Sequence, residues 1–148
     1  MALIDTLLAR RQKLLLMAAF GFAMWQGGQL LAKMFPIDDT TQAIALAMTL
    51  VGAFQWAACS FGFIHYSKKA KPERDALNDE LTCRNRGYAF TFGYTVLVGF
   101  IMFLFALNAI LEQTTFPALN ADFIIHGLMI IGIIAPTLRF VWLERDNA

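Results

Sequence analysis

Four apolar runs, each long enough to cross a lipid bilayer, leave this chain few folds. Residues 14–32, 40–64 and 87–111 contain no Asp, Glu, Lys or Arg, and 123–143 contains only Arg139. At about 1.5 Å of helical rise per residue, a run of about 18 or more uncharged residues matches a hydrocarbon core about 30 Å thick. The pattern predicts an all-α fold, a four-transmembrane-helix bundle with spans at about 14–34, 42–66, 87–111 and 123–143. The 148 residues, 58% hydrophobic, leave room for these spans and short connections, hence for one integral membrane domain.

The distribution of basic residues sets an expected orientation. Arg10, Arg11 and Lys13 precede the first run; Lys68, Lys69, Lys71, Arg74, Arg84 and Arg86 fill the middle connection; Arg139 and Arg145 close the last run. Eleven of the twelve Lys and Arg residues thus fall on one side, with Lys33 on the other. Lys and Arg in short loops are translocated poorly, so that side is expected to be cytoplasmic. The expectation is a multi-pass protein of the bacterial cytoplasmic (inner) membrane, N-in and C-in, with 67–86 a cytoplasmic helical loop. The first run is too long for the 7–15 apolar residues of a signal peptide and lacks an A-x-A site, so it reads as a retained span. A net charge of +1 gives no footprint for direct nucleic-acid binding. Cys59 falls inside a span and Cys83 in the cytoplasmic loop, where thiols stay reduced.

Local signals shape the connections. Leu3, Leu7 and Leu8 share a face, so Met1 to Arg11 reads either as an amphipathic helix on the leaflet or as a flanking turn of the first span. Phe35-Pro36 ends that span. Small residues recur at i, i+4 as Ala19, Ala23 and Gly27 in the first helix and Ala45, Thr49, Ala53 and Ala57 in the second, stripes expected to face each other. In the middle loop Pro72 suits a first helical turn, Glu80 and Arg84 form an i, i+4 pair, and no proline interrupts 73–111. The third helix is therefore expected to extend into the cytoplasm, starting near Glu73. Pro136 should bend the last span, and Arg139 can snorkel to the headgroups.

Chemistry-bearing residues are sparse. Trp25-Gln26 and Gln55-Trp56 are predicted at similar mid-membrane depth. They read as a polar patch for a lipid or small ligand, or as interhelical hydrogen bonds that fix register. His126 lies four residues after Asp122, a spacing that allows a proton relay, a metal half-site or an interfacial histidine capped by Asp122 or a loop carbonyl. His65 with Tyr66 reads as a headgroup anchor. No Asp or Glu falls inside the predicted spans, which argues against proton-coupled export. No Ser/His/Asp set, phosphate-cradling glycine loop or HExxH occurs, so no enzymatic activity, no cofactor and no metal is expected. The fourteen Phe residues, dense at Phe90, Phe92, Phe100, Phe103 and Phe105, suit a lipid-facing or packed surface.

The segment Glu73-Arg74-Asp75-Ala76-Leu77-Asn78-Asp79-Glu80-Leu81, followed by Arg84-Asn85-Arg86, resembles that of small, uncharacterised bacterial four-span membrane proteins. Leu7-Leu8-Ala9-Arg10-Arg11-Gln12 and Pro136 to Arg145 are similar to the same group. Some of those proteins look like companions of helix-turn-helix transcription regulators. The resemblance implies a membrane anchor or inhibitor for such a regulator. Glu73, Arg74, Asp75, Asp79, Glu80, Arg84 and Arg86 would then be a charged docking surface with Leu77 and Leu81 as apolar anchors. The expected function is non-enzymatic binding of a cytoplasmic or membrane partner from within the lipid bilayer. The other class is a small transporter or channel, or an accessory subunit of a larger complex. The small-residue and aromatic faces would suit a homo-oligomer in either class.

Overall fold

The computed structural model describes residues 2–34, 38–67, 79–115 and 119–146. Among these residues every regular element is an α-helix: α1 (Ala2–Met34), α2 (Asp39–Ser67), α3 (Glu80–Leu111) and α4 (Ala121–Asp146). All four are long and apolar enough to cross a membrane. Each apolar run is a helix, and each helix extends past its run into charged residues. Thus α1 runs 33 residues without a break, so the segment before Lys13 is a continuation of the first helix and not a separate amphipathic one.

The helix starts follow capping chemistry. The Asp38 side chain accepts from Thr41 N–H at 3.0 Å, and Asn120 Oδ1 accepts from Asp122 N–H at 3.0 Å, each satisfying a donor that the first turn leaves open. The third helix begins at Glu80, later than the expected Glu73, because Asp79 takes extended backbone geometry and its carboxylate accepts from Thr82 N–H at 2.8 Å. Even so, α3 overruns its apolar run by seven residues, with 68–78 outside the described residues. Its far end is tied by Asn108 Nδ2, which donates to Glu112 Oε1 at 2.7 Å. The hydroxyls of Thr49, Ser60, Thr91, Thr95 and Thr137 bond back to carbonyls one turn earlier, as Thr49 does to Ala45 and Ser60 to Trp56. A hydroxyl satisfied in this way does not need water.

Adjacency follows the order α2, α1, α4, α3, with α1 and α4 in the middle. The α1/α2 seam is made by the near contact of two backbones. A Cβ placed on Gly52 would lie 2.3 Å from Trp25 N and 2.6 Å from Gly21 O, and one on Gly28 2.7 Å from Ala45 O. Ala45 and Thr49 of the expected stripe lie in this seam, but on α1 it runs through Gly21 and Gly28 instead of Ala23 and Gly27. The α4/α3 seam forms where the Pro136 ring sits on Gly93, at 2.7 Å from where a Cβ would be. The helix continues through Pro136.

What is buried is mostly small: Ala19, Ala45, Cys59 and Ala89, with Leu7, Phe22, Leu104 and Val141. Large apolar side chains face outward on every helix, among them Phe54, Phe90, Phe103 and Phe105, and Tyr94 and Ile101 on α3. A monomer in water does not present that much contiguous apolar surface, whereas lipid accepts it at no cost.

Candidate functional site

Two ion pairs join α1 to α4, at opposite ends of the pair. Arg11 binds Glu144, and Lys33 Nζ donates to Asp122 Oδ1 at 2.8 Å. The partners are spaced identically in the two helices, 11 to 33 and 122 to 144. That spacing is about 33 Å of helix, close to the thickness of a hydrocarbon core. The helices are therefore antiparallel and in register, with a charged clamp at each edge of the apolar slab. Lys33 and Asp122 are both over 40% exposed, so their pair contributes no more than about 1 kcal/mol. The Arg11 and Glu144 side chains are only 11% and 5% exposed.

The buried clamp also reaches α3. Thr82 Oγ1 donates to Glu144 Oε1 at 3.3 Å, while Thr82 N–H is held by Asp79. Thr82 and Asn85 are both buried at the start of α3, and the Arg11 guanidinium lies over the Phe140 ring at 5.6 Å. Glu144 Oε2 has no hydrogen-bond partner among the described residues. The Thr82 hydrogen bonds hold the Asp79 carboxyl below the usual carboxylate range, with a smaller pull from Arg11. Asp79, Thr82, Glu144 and Arg11 thus form one polar chain linking the start of α3, the end of α4 and the first third of α1.

A prediction follows for the cap. Asp79→Ala should cost about 1 kcal/mol and raise amide exchange at Thr82, whose N–H the carboxylate accepts. Because the folded pKa is lowered, the cap's contribution is present above the unfolded value of about 3.9 and is lost as pH falls through the folded value. The protection of Thr82 N–H relative to its intrinsic exchange rate should therefore fall on acidification in the wild type far more than in the variant. Equal exchange at Thr82 in both proteins at pH 6 would remove Asp79 from this role.

Within the slab, the tryptophans meet as their predicted depths imply. Trp25 and Trp56 ring centroids are 5.6 Å apart, and Phe22 packs edge-on to Trp25 at 5.9 Å. The two glutamines part. Adjacent helical residues diverge by about 100°, so with Trp25 turned to α2, Gln26 turns to α4. There Gln26 Oε1 lies 2.6 Å from His126 Nδ1, both residues buried, while Gln55 Nε2 donates to the Met17 carbonyl at 2.8 Å. The partner of His126 is therefore Gln26, and Asp122 is taken by Lys33 instead of capping the histidine. These bonds suit the register-fixing reading of the polar residues.

Of the expected docking residues, Glu80 and Arg84 are exposed and, with half-buried Leu81, line a shallow depression at the start of α3. Arg86 is exposed two residues after Arg84, about 200° further around the helix. Glu80 and Arg84 do not pair with each other; the ion pairs seen among the described residues are Arg11–Glu144 and Lys33–Asp122. Glu73, Arg74, Asp75 and Leu77 lie outside the described residues, as do the side chains of His65 and Tyr66. No cluster of three His, Cys, Asp or Glu residues able to hold a metal occurs among the described residues.

The burial of Arg11, Thr82, Asn85 and Glu144 at one end of the bundle is not expected from the sequence. A signal existed: Arg11 is flanked by Leu7, Leu8, Leu14 and Leu15, and Glu144 follows Phe140 and Val141 by one turn. Charges inserted in an apolar face point toward a partner. No family model, curated protein or solved structure matches the chain.

Proposed function

We propose that this chain is a non-enzymatic, multi-pass protein of the bacterial cytoplasmic membrane that holds a cytoplasmic protein partner against the first turns of α3. The observation that carries this reading is the polar chain Asp79–Thr82–Glu144–Arg11. It ties the start of α3 to α1 and α4 while Glu80, Leu81 and Arg84 stay outward. A charged rim around an apolar anchor selects partners and speeds encounter. A partner bound there would act on two other helices through the buried clamp, so the same surface can serve anchoring and signalling. Placement of this end in the cytoplasm is supported by the eleven basic residues gathered on its side. The sharpest form of the partner is a helix-turn-helix regulator, as the resemblance of 73–81 and 84–86 implies.

Purification from cells at native expression tests this. The wild type should carry a stoichiometric DNA-binding protein, and the double reversal Glu80→Arg with Arg84→Glu should reduce its recovery at least about tenfold, as removal of a central anchor costing over 1.4 kcal/mol does. Unchanged recovery in the reversed protein would remove α3's first turns from the interface.

The outward apolar faces of α2 and α3, at the two ends of the helix order, favour a second reading as an accessory subunit of a larger transport complex. Solute flux through liposomes containing the purified chain, or a membrane-embedded partner in place of a soluble one, distinguishes that class.

A further inference from the structure

We propose that Arg139, Trp142 and Phe92 form a binding site for the phosphate of an anionic phospholipid, set in the leaflet on the Arg11–Glu144 side. This rests on the membrane placement proposed above. The Arg139 guanidinium lies 4.2 Å from the Trp142 ring centroid on its own helix and 5.5 Å from that of Phe92 on α3. Its hydrogen-bonding edge finds no carboxylate or carbonyl acceptor among the described residues. Both rings are largely exposed, Trp142 by 55% and Phe92 by 44%, so the site opens outward between α3 and α4.

Depth decides what can fill it. Arg139 lies five residues, about 7.5 Å of helix, inside the position of Glu144, which marks the edge of the slab. The stack on Trp142, three residues toward the C-terminal end, shows that the side chain runs toward that edge, against the N-terminal tilt of a helical Cβ. A guanidinium at such depth cannot remain unpaired, because its desolvation has to be offset by an anion. The described residues supply none, and lipid phosphate is the anion present at the boundary. The two rings hold the guanidinium plane, which leaves its fork of N–H donors to meet phosphate oxygens in pairs. Exposed Arg84, Arg86, Arg10 and Lys13 at the same end add a positive potential that favours a lipid with net negative charge.

The experiment is native mass spectrometry of the full chain released from detergent, with phosphatidylglycerol, phosphatidylcholine or inorganic phosphate added. Phosphatidylglycerol should remain bound several-fold more than phosphatidylcholine, and 10 mM inorganic phosphate should not displace it. Arg139→Gln should lower its occupancy about tenfold, the loss expected of one charge-assisted bidentate contact. Trp142→Leu and Arg139→Lys should each lower it several-fold, while Arg145→Gln, which removes the same charge nearby, should change it less than about twofold. Melting temperature confirms that each variant is folded, and Trp142→Leu provides the reading should Arg139→Gln melt early. Equal lipid occupancy in wild type and folded Arg139→Gln overturns the site, as does displacement by inorganic phosphate. Recovery of the wild type in carbonate-washed membranes reports separately on the membrane placement.

Discussion

Glu144→Ala should lower unfolding stability by about 3–5 kcal/mol, the largest effect expected of any single carboxylate change in this chain. The reason is the partner left behind. Arg11 is only 11% exposed and always charged, so removing the carboxylate takes away the buried counter-charge of a guanidinium held against Phe140 in a low-dielectric site. The deletion also takes the acceptor of the Thr82 hydroxyl, so the start of α3 should loosen together with the α1/α4 contact. Lys33→Ala, which opens the exposed clamp at the opposite edge, should cost less than about 1 kcal/mol. The double variant Arg11→Met with Glu144→Leu should recover most of the loss, since an apolar pair of similar volume pays no desolvation. Reversible unfolding in mixed micelles, followed by circular dichroism across the wild type and these three variants, reads the losses and the recovery. A loss below about 1 kcal/mol for Glu144→Ala, or no recovery in the double variant, would mean that Arg11 and Glu144 do not form the buried clamp.

The four helices were legible because membrane spanning is written locally. Any charge-free run that fits the bilayer must satisfy its own backbone, and runs such as 40–64 and 87–111 became α2 and α3 with ends displaced by only a few residues, except the start of α3. The charged flanks were less legible, because charge was read as marking a loop. Arg11 and Glu144 were therefore left outside the spans, although helix continues through both and burial follows from their meeting across 133 residues of sequence. No local pattern reports a pair so separated. The polar residues show the same division. Similar depth brought Trp25 and Trp56 together as expected, but which helix Gln26 would meet depended on the rotation of α1, which the sequence leaves open. The outer residues of the docking face, Glu80 and Arg84, were legible as exposed charges, yet Thr82 and Asn85 between and beside them are buried because α3 turns that face onto α4.

Rotation of α1 also decides which glycines matter, and Gly52→Ala is expected to be the sharpest test of it. One methyl group at this position meets Trp25 N at 2.3 Å, Gly21 O at 2.6 Å and the Met24 carbonyl carbon at 2.9 Å, all backbone atoms that no rotamer change can move aside. The two helices must separate, and with them the Trp25–Trp56 contact and the Gln55 bond to Met17. Overpacking of this kind costs about 1–3 kcal/mol, and Gly52→Leu should exceed that range and part α1 from α2. Gly27, part of the stripe that the i, i+4 pattern favoured, has only the flexible tip of Met48 near its Cβ direction, at 3.9 Å. Gly27→Ala should therefore be neutral or stabilising by up to about 1 kcal/mol, since alanine holds a helix better than glycine. Tryptophan emission reads the local event and thermal melting the global one. Gly52→Ala should shift the emission and lower the midpoint, Gly27→Ala should do neither, and the reverse ranking would place the seam on the Ala23 and Gly27 face of α1.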